Sequence, residues 1–174
     1  AMRRMVNQRP DAQGWIAGPA EEDPAYAEEC RNLVRSLGLQ QQVRFLGMQR
    51  VEDLMPQIGL VVLSSISEAL PLVLLEGYAA GVPAVSTDVG SCRQLVEGLD
   101  EEDRALGASG AVVPIAKPQQ LADAALRLLG DSAAWQAASR AAVARVERYY
   151  TDTLMFDRYR QVYESALARN PGAA

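Results

Sequence analysis

The sequence contains no histidine. That absence removes histidine-based catalytic triads, histidine general bases and histidine-ligated metals together. Cysteine is scarce: Cys30 and Cys92 are the only two and form no CxxC pair. Reduced thiols are expected rather than a disulfide framework. No apolar run approaches the roughly 20 residues that a membrane-spanning helix needs. The opening residues, Ala1-Met2-Arg3-Arg4-Met5, lead into no apolar segment, so no secretory leader is expected there. Net charge is −5 and the basic residues are scattered. Neither a nucleic-acid footprint nor a polybasic membrane patch is read from them. Any chemistry must come from carboxylates, hydroxyls, backbone dipoles, lysine or arginine.

What is present suits a folded domain. A chain of 174 residues that is 49% hydrophobic can bury a sizeable core. Residues 1–9 read as the end of a helix and residues 14–18 as a short strand with a Gly-Pro stop. Asp23-Pro24 starts a helix reaching about Leu37, with Tyr26, Cys30, Leu33, Val34 and Leu37 turned inward. Residues 43–47 form the next strand, and residues 51–57 a short helix with Pro56 near its end. Residues 59–64 are a buried core strand. Later strands are read at 82–87 and 111–114, with a short helix from Cys92 to about Gly98 between them. The acidic stretch 99–108 reads as a solvated loop or partial helix. Three helices follow, from Pro118, from Asp131-Ser132 and from Thr151 or Asp152, with a frayed tail from Asn170. The last helix is read with Met155 or Phe156, Tyr159, Val162, Tyr163 and Ala166 inward. Short apolar strands alternating with helices indicate an α/β fold, a Rossmann-like doubly wound parallel sheet. Ligands bind such sheets at the carboxyl ends of strands.

The informative stretch runs from Ser64 to Pro83. A strand ends, a loop carries Glu68, and Pro71 opens a helix that closes at Gly81. Leu72, Val73, Leu74, Leu75, Tyr78, Ala79 and Ala80 make that helix apolar almost all round, so it is expected to be buried. An ionised Glu76 within it would need a partner. Taken singly, Glu68 reads as a surface loop residue and Glu76 as a carboxylate paired with an arginine. Together with the helix they suggest a ligand site. The helix N-terminus, through the amides of Leu70, Leu72 and Val73, offers a phosphate site. The two carboxylates can accept hydrogen bonds from hydroxyls. Hydroxyls on both sides of a diphosphate describe a nucleotide sugar.

Residues 67–91, with Glu68 and Glu76 in an E-x7-E spacing, resemble the corresponding region of the retaining GT-B glycosyltransferases of group 1 (family 4). Val43-Arg44-Phe45-Leu46-Gly47 is similar to the V-x-F-x-G strand of that family. The likeness extends to the Pel exopolysaccharide type, through Ser67-Glu68-x-x-Pro71-Leu72 and Asp88-Val89-Gly90-Ser91-Cys92-Arg93. The resemblance implies that residues 1–174 are a single nucleotide-sugar-binding domain, a fragment of a two-domain enzyme and inactive alone. Glu68 would be the catalytic-site carboxylate on the donor sugar, and Glu76 would hold the ribose. The backbone around Leu70, Pro71, Leu72 and Val73 would meet the diphosphate or sugar, and Gly47 and Met48 the base. The implied donor is UDP-glucose, with no metal or cofactor. The implied acceptor is a growing polysaccharide or glycan reached through an N-terminal domain. The enzyme would be cytoplasmic, peripheral to the inner membrane through a biosynthetic complex. A GT-B-like epimerase or phosphorylase and a non-catalytic binding module are the alternatives.

Two departures qualify the match. The usual Glu-Gly-Phe-Gly is here Glu68-Ala69-Leu70-Pro71. The basic loop that meets the diphosphate in the family, and the strand before it, would lie upstream of this chain. Arg3 and Arg4 read as solvated helix charges, and Arg93 as locally paired. Loss of a central strand would leave open sheet edges that self-association could relieve. The aromatic side of the last helix would then face the partner domain.

Overall fold

The computed structural model describes residues 1–169. In chain order these form α1 (Met2–Gln8), β1 (Gly14–Ala17), α2 (Pro24–Ser36), β2 (Val43–Gly47) and α3 (Val51–Leu54), which a 3-10 turn at Met55–Gln57 extends. Then come β3 (Val61–Leu63), α4 (Leu72–Ala79), β4 (Ala84–Thr87), α5 (Cys92–Glu97), α6 (Glu101–Arg104) and β5 (Gly110–Val113). The helices α7 (Pro118–Gly130), α8 (Ser132–Tyr149) and α9 (Asp152–Arg169) complete the chain.

All strand pairs are parallel, and each successive pair is joined through a helix, as parallel pairing demands. The sheet is divided. The strands β1 and β2 pair with each other, while β3, β4 and β5 form a second sheet in that order. Among the described residues, β1 and β3 each keep one edge without a strand partner. The α/β class and Rossmann-like parallel sheet of the sequence reading are what the structure has.

The second sheet lies between two apolar layers. On one face Val61 and Ala84 pack with Leu74 and Tyr78 of α4, Cys92 and Leu95 of α5, and Ala142 of α8. On the other, Val85 and Val113 pack with Met5 of α1 and Leu121, Ala122, Ala124 and Ala125 of α7. Successive residues of β4 thus enter opposite layers, as the two-residue period of a strand requires. The first sheet has a thinner core of Val6, Leu39 and Val43. Helix α1 serves both, because the adjacent Met5 and Val6 point into different clusters.

Four expectations are corrected. Helix α2 is capped as read, with the Asp23 carboxylate accepting from the Tyr26 amide at 3.0 Å. It buries no residue, however, and Tyr26, Leu33 and Leu37 are exposed. Of its apolar residues, Val34 packs on the small core of the first sheet and is only partly buried. Strand β3 is buried on one face only: Val61 is buried, but Val62 is 46% exposed. The acidic stretch is not wholly solvated, because Asp103 is buried against Arg145. The residues of α9 read as inward are exposed and no residue of that helix is buried, which agrees with an aromatic side left open for a partner domain. The tail from Asn170 lies outside the described residues. Cys30 and Cys92 are both free thiols. No helix of the described residues is long and apolar enough to cross a membrane.

Candidate functional site

The site is organised by how α4 meets β3. A Cβ at Gly77 would stand 2.7 Å from Val61 Cγ2, so glycine lets the helix lie close on the strand. The helix ends in a Schellman motif. The Val82 amide donates to the Gly77 carbonyl at 2.8 Å and the Gly81 amide to that of Tyr78 at 2.9 Å. Gly81 takes φ +74° there. These fixed ends place the N-terminus of α4 just beyond the carboxyl end of β3.

Helix α4 is two-sided, against the expectation of a helix buried all round. Leu74, Gly77 and Tyr78 are buried, whereas Leu72, Glu76, Ala79 and Ala80 are exposed. Glu76 lies four residues after Leu72, on the same outward stripe. Its carboxylate reaches solvent and makes no ion pair among the described residues. The uniformly apolar composition concealed this polarity, because Leu72 and Ala79 are apolar yet face outward. Pro71 is the N-cap rather than the first helical residue, and it is buried. Among the described residues no side chain caps the helix. The Leu74 amide turns back to the Pro71 carbonyl at 3.2 Å, while the amides of Leu70, Leu72 and Val73 have no protein acceptor among the described residues. Such amides at a helix N-terminus suit an anion.

Glu68 sits half-buried on the preceding loop, and its Oε1 accepts a hydrogen bond from the Ser65 hydroxyl at 2.7 Å. The Thr87 hydroxyl, at the end of β4, donates to the Ser65 carbonyl at 2.6 Å. On the other side, the Ser91 amide and hydroxyl both donate to the Ala69 carbonyl, at 3.0 and 2.6 Å. Sequence reasoning missed these three hydroxyls. The available signal was their place, each at or just beyond the carboxyl end of an apolar strand.

Glu68, Leu70, Pro71, Leu72, Val73 and Glu76 therefore share one loop-helix unit. Gly47 and Met48 do not join it. They follow β2 in the other sheet, with Gly47 at φ +66° and its carbonyl accepting from the Gly18 amide at 2.9 Å. Met48 is exposed. Arg93 is paired locally as read, whereas Arg4, read as a solvated charge, is held in an ion pair. Arg93 donates to Asp88 at 2.6 Å and Glu97 at 2.9 Å, and those bonds raise its pKa further above the ordinary arginine range, Asp88 contributing most. Arg4 pairs with Asp123 at 2.6 Å. A small cavity lined by Gln94, Leu99, Asp103, Tyr149, Tyr150 and Arg158 shares no residue with the α4 unit.

Comparison with known proteins places this geometry in a family. Residues 1–131 match the model of the glycosyl transferases group 1 family. An exopolysaccharide phosphotransferase of Streptomyces coelicolor is 38% identical over 135 residues, which are 76% of this chain and 14% of that protein. The lipopolysaccharide core biosynthesis mannosyltransferase LpsB of Rhizobium meliloti is 30% identical over 96% of this chain and 46% of its own length. Among solved structures, sucrose-phosphate synthase of Thermosynechococcus elongatus superposes with a TM-score of 0.82 at 24% identity, over 97% of this chain and 42% of that one. The C-terminal domain of the group 1 protein LpcC from Francisella tularensis gives 0.71 at 22% identity, over 86% of this chain and 75% of that one. Anabaena HepE, solved with UDP-glucose, gives 0.78 at 22% identity, over 93% and 44%. The chain spans less than half the length of the curated relatives it matches. The chain belongs to the group 1 glycosyl transferases and has the fold of their GT-B carboxy-terminal domain.

Proposed function

We propose that this chain is the donor-binding half of a retaining glycosyltransferase that transfers glucose from UDP-glucose during exopolysaccharide synthesis of the Pel type. One observation carries the reading. The N-terminus of α4 presents amides without protein acceptors between a half-buried carboxylate, Glu68, and an outward one, Glu76. The helix end takes the diphosphate, with charge and amide dipoles acting in the same direction. Glu76 accepts from the ribose hydroxyls and Glu68 from the hexose hydroxyls near the reacting carbon. A charged acceptor makes each such bond stronger than a neutral one. Gly47 and Met48 hold the base from the other sheet, so the nucleotide spans both. The transfer uses no metal, and basic groups outside this chain stabilise the leaving diphosphate electrostatically. The acceptor glycan is held by a further domain that covers the apolar side of α9.

The test is nucleotide titration and donor turnover with the full-length protein. UDP binds, and Glu76→Ala weakens it by roughly tenfold, the loss of a hydrogen bond to a charged group. Glu68→Ala abolishes most turnover while leaving UDP affinity within about twofold. Unchanged binding by the Glu76 variant would refute the ribose assignment. Binding without any transfer would favour a non-catalytic module. We also propose that the open edges of β1 and β3 drive self-association of the isolated chain. A monomer in concentrated sedimentation runs would count against that.

A further inference from the structure

The loop carrying Glu68 is held at both ends by groups that have no assigned part in binding. Behind the carboxylate stands Ser65, whose hydroxyl donates to Oε1 at 2.7 Å. Ser65 is itself fixed, because its carbonyl accepts from Thr87 Oγ1 at 2.6 Å and Thr87 is buried in β4. Ahead of the carboxylate, the Ala69 carbonyl takes two hydrogen bonds from Ser91, at 3.0 Å from the amide and 2.6 Å from the hydroxyl. Gly90 turns beneath this contact at φ +51°. A Cβ there would overlap the Glu68 carbonyl oxygen and stand 2.8 Å from that of Ala69. The chain after β4 therefore grips the backbone of Glu68, and the end of β3 grips one of its carboxylate oxygens.

We infer that Ser65 is a positioning residue that fixes which oxygen of Glu68 is presented to the donor sugar, and that the Gly90–Ser91 turn fixes the backbone that carries it. This rests on the proposed role of Glu68 at that sugar. With Oε1 engaged by Ser65, the carboxylate loses rotation about its last bond. Oε2 accepts no hydrogen bond from the described residues and is the oxygen turned to a ligand hydroxyl. Holding a reacting or charge-stabilising group in one orientation before substrate arrives lowers the barrier without tightening ground-state binding. The effect belongs in kcat rather than in KM.

The experiment follows UDP release from UDP-glucose by the full-length protein. Ser65→Ala lowers kcat about tenfold or more, as expected for one lost hydrogen bond to a charged group. KM for UDP-glucose stays within about twofold. Ser65→Thr keeps the hydroxyl and restores most of kcat. In the Glu68→Ala background, where residual turnover is slow, Ser65→Ala causes no further loss, because both changes act through one group. Gly90→Ala displaces the loop and gives a larger loss, but it can also impair folding. The half-buried Ser65 hydroxyl is therefore the decisive position. A parent-like kcat in Ser65→Ala, a loss confined to KM, or an equal loss with and without Glu68 overturns the inference. If the parent does not turn over UDP-glucose, or keeps its rate in Glu68→Ala, the donor-site reading fails and this inference with it. An active parent, a slow Glu68→Ala and an unaffected Ser65→Ala would refute the positioning role alone.

Discussion

The two sheets of this chain have similar strands and very different surroundings. Every residue of β4 is buried, between α4, α5 and α8 on one side and α1 and α7 on the other. In the other sheet β1 has no buried residue, and α2, thirteen residues long, buries none. Local sequence quality does not separate them, since α2 has a better N-cap than α4. The difference is the number of elements available to cover each face. Burial of apolar area dominates folding energetics, at about 25 cal/mol per Å². The β3–β4–β5 half therefore holds most of the stability.

The largest test of this asymmetry is Arg145. It is 0% exposed and donates to the Asp103 carboxylate at 2.6 Å, to the carbonyls of Asp103, Gly107 and Val96 at 3.0, 2.8 and 3.1 Å, and to the Ser109 hydroxyl. Arg145→Ala leaves Asp103 buried without its counterion. It is expected to lower stability by about 3–5 kcal/mol in urea unfolding. A loss under about 1 kcal/mol would mean that the pair adds little to this half.

An intermediate effect is expected from Tyr78, whose hydroxyl is buried in the same half without a hydrogen-bond partner among the described residues. Burial, the principal cause, pushes its pKa well above the ordinary tyrosine value. The native state keeps this proton at a pH where the unfolded chain releases it, so the unfolded state binds fewer protons. Stability is then complete below about pH 10 and declines as pH rises above it. Tyr78→Phe should remove that part of the alkaline decline and be nearly neutral at pH 7, because no hydrogen bond is lost. An unaltered alkaline slope in the variant would show that other groups cause it. The smallest effect belongs to the thinner half. Leu33→Ser on α2 is expected to change stability by no more than about 0.5 kcal/mol, since Leu33 is exposed. A loss above about 1 kcal/mol would reveal a contact that closes over α2.

The legible parts of the sequence were those governed by local rules. Asp23-Pro24, Asp131 and Gly81 marked helix ends because capping depends on a few neighbouring residues. Glu68 and Glu76 could be assigned to one strand-loop-helix unit from spacing alone. The outward turn of Glu76 could not, because an eight-residue helix that is apolar on both sides carries no polarity signal. Arg145 was hidden for the opposite reason. It lies on the inward stripe with Ala138, Ala141 and Ala142, but a charged residue there is assigned to solvent unless its partner is known. That partner, Asp103, lies 42 residues earlier and within a run that looks purely solvated. The pinning of the Glu68 loop by Thr87 and Ser91 was invisible for the same reason, since those bonds join residues 22 apart.

The division of the sheet has one practical consequence. Each half contains one of the two tryptophans. Trp15 lies on β1 with its indole nitrogen buried and without a partner among the described residues, whereas Trp135 of α8 donates to the Gly59 carbonyl at 2.6 Å. Two chromophores of one kind thus occupy unlike polar surroundings in the two halves. The native chain carries its own pair of optical labels, one for each half, with no foreign dye required.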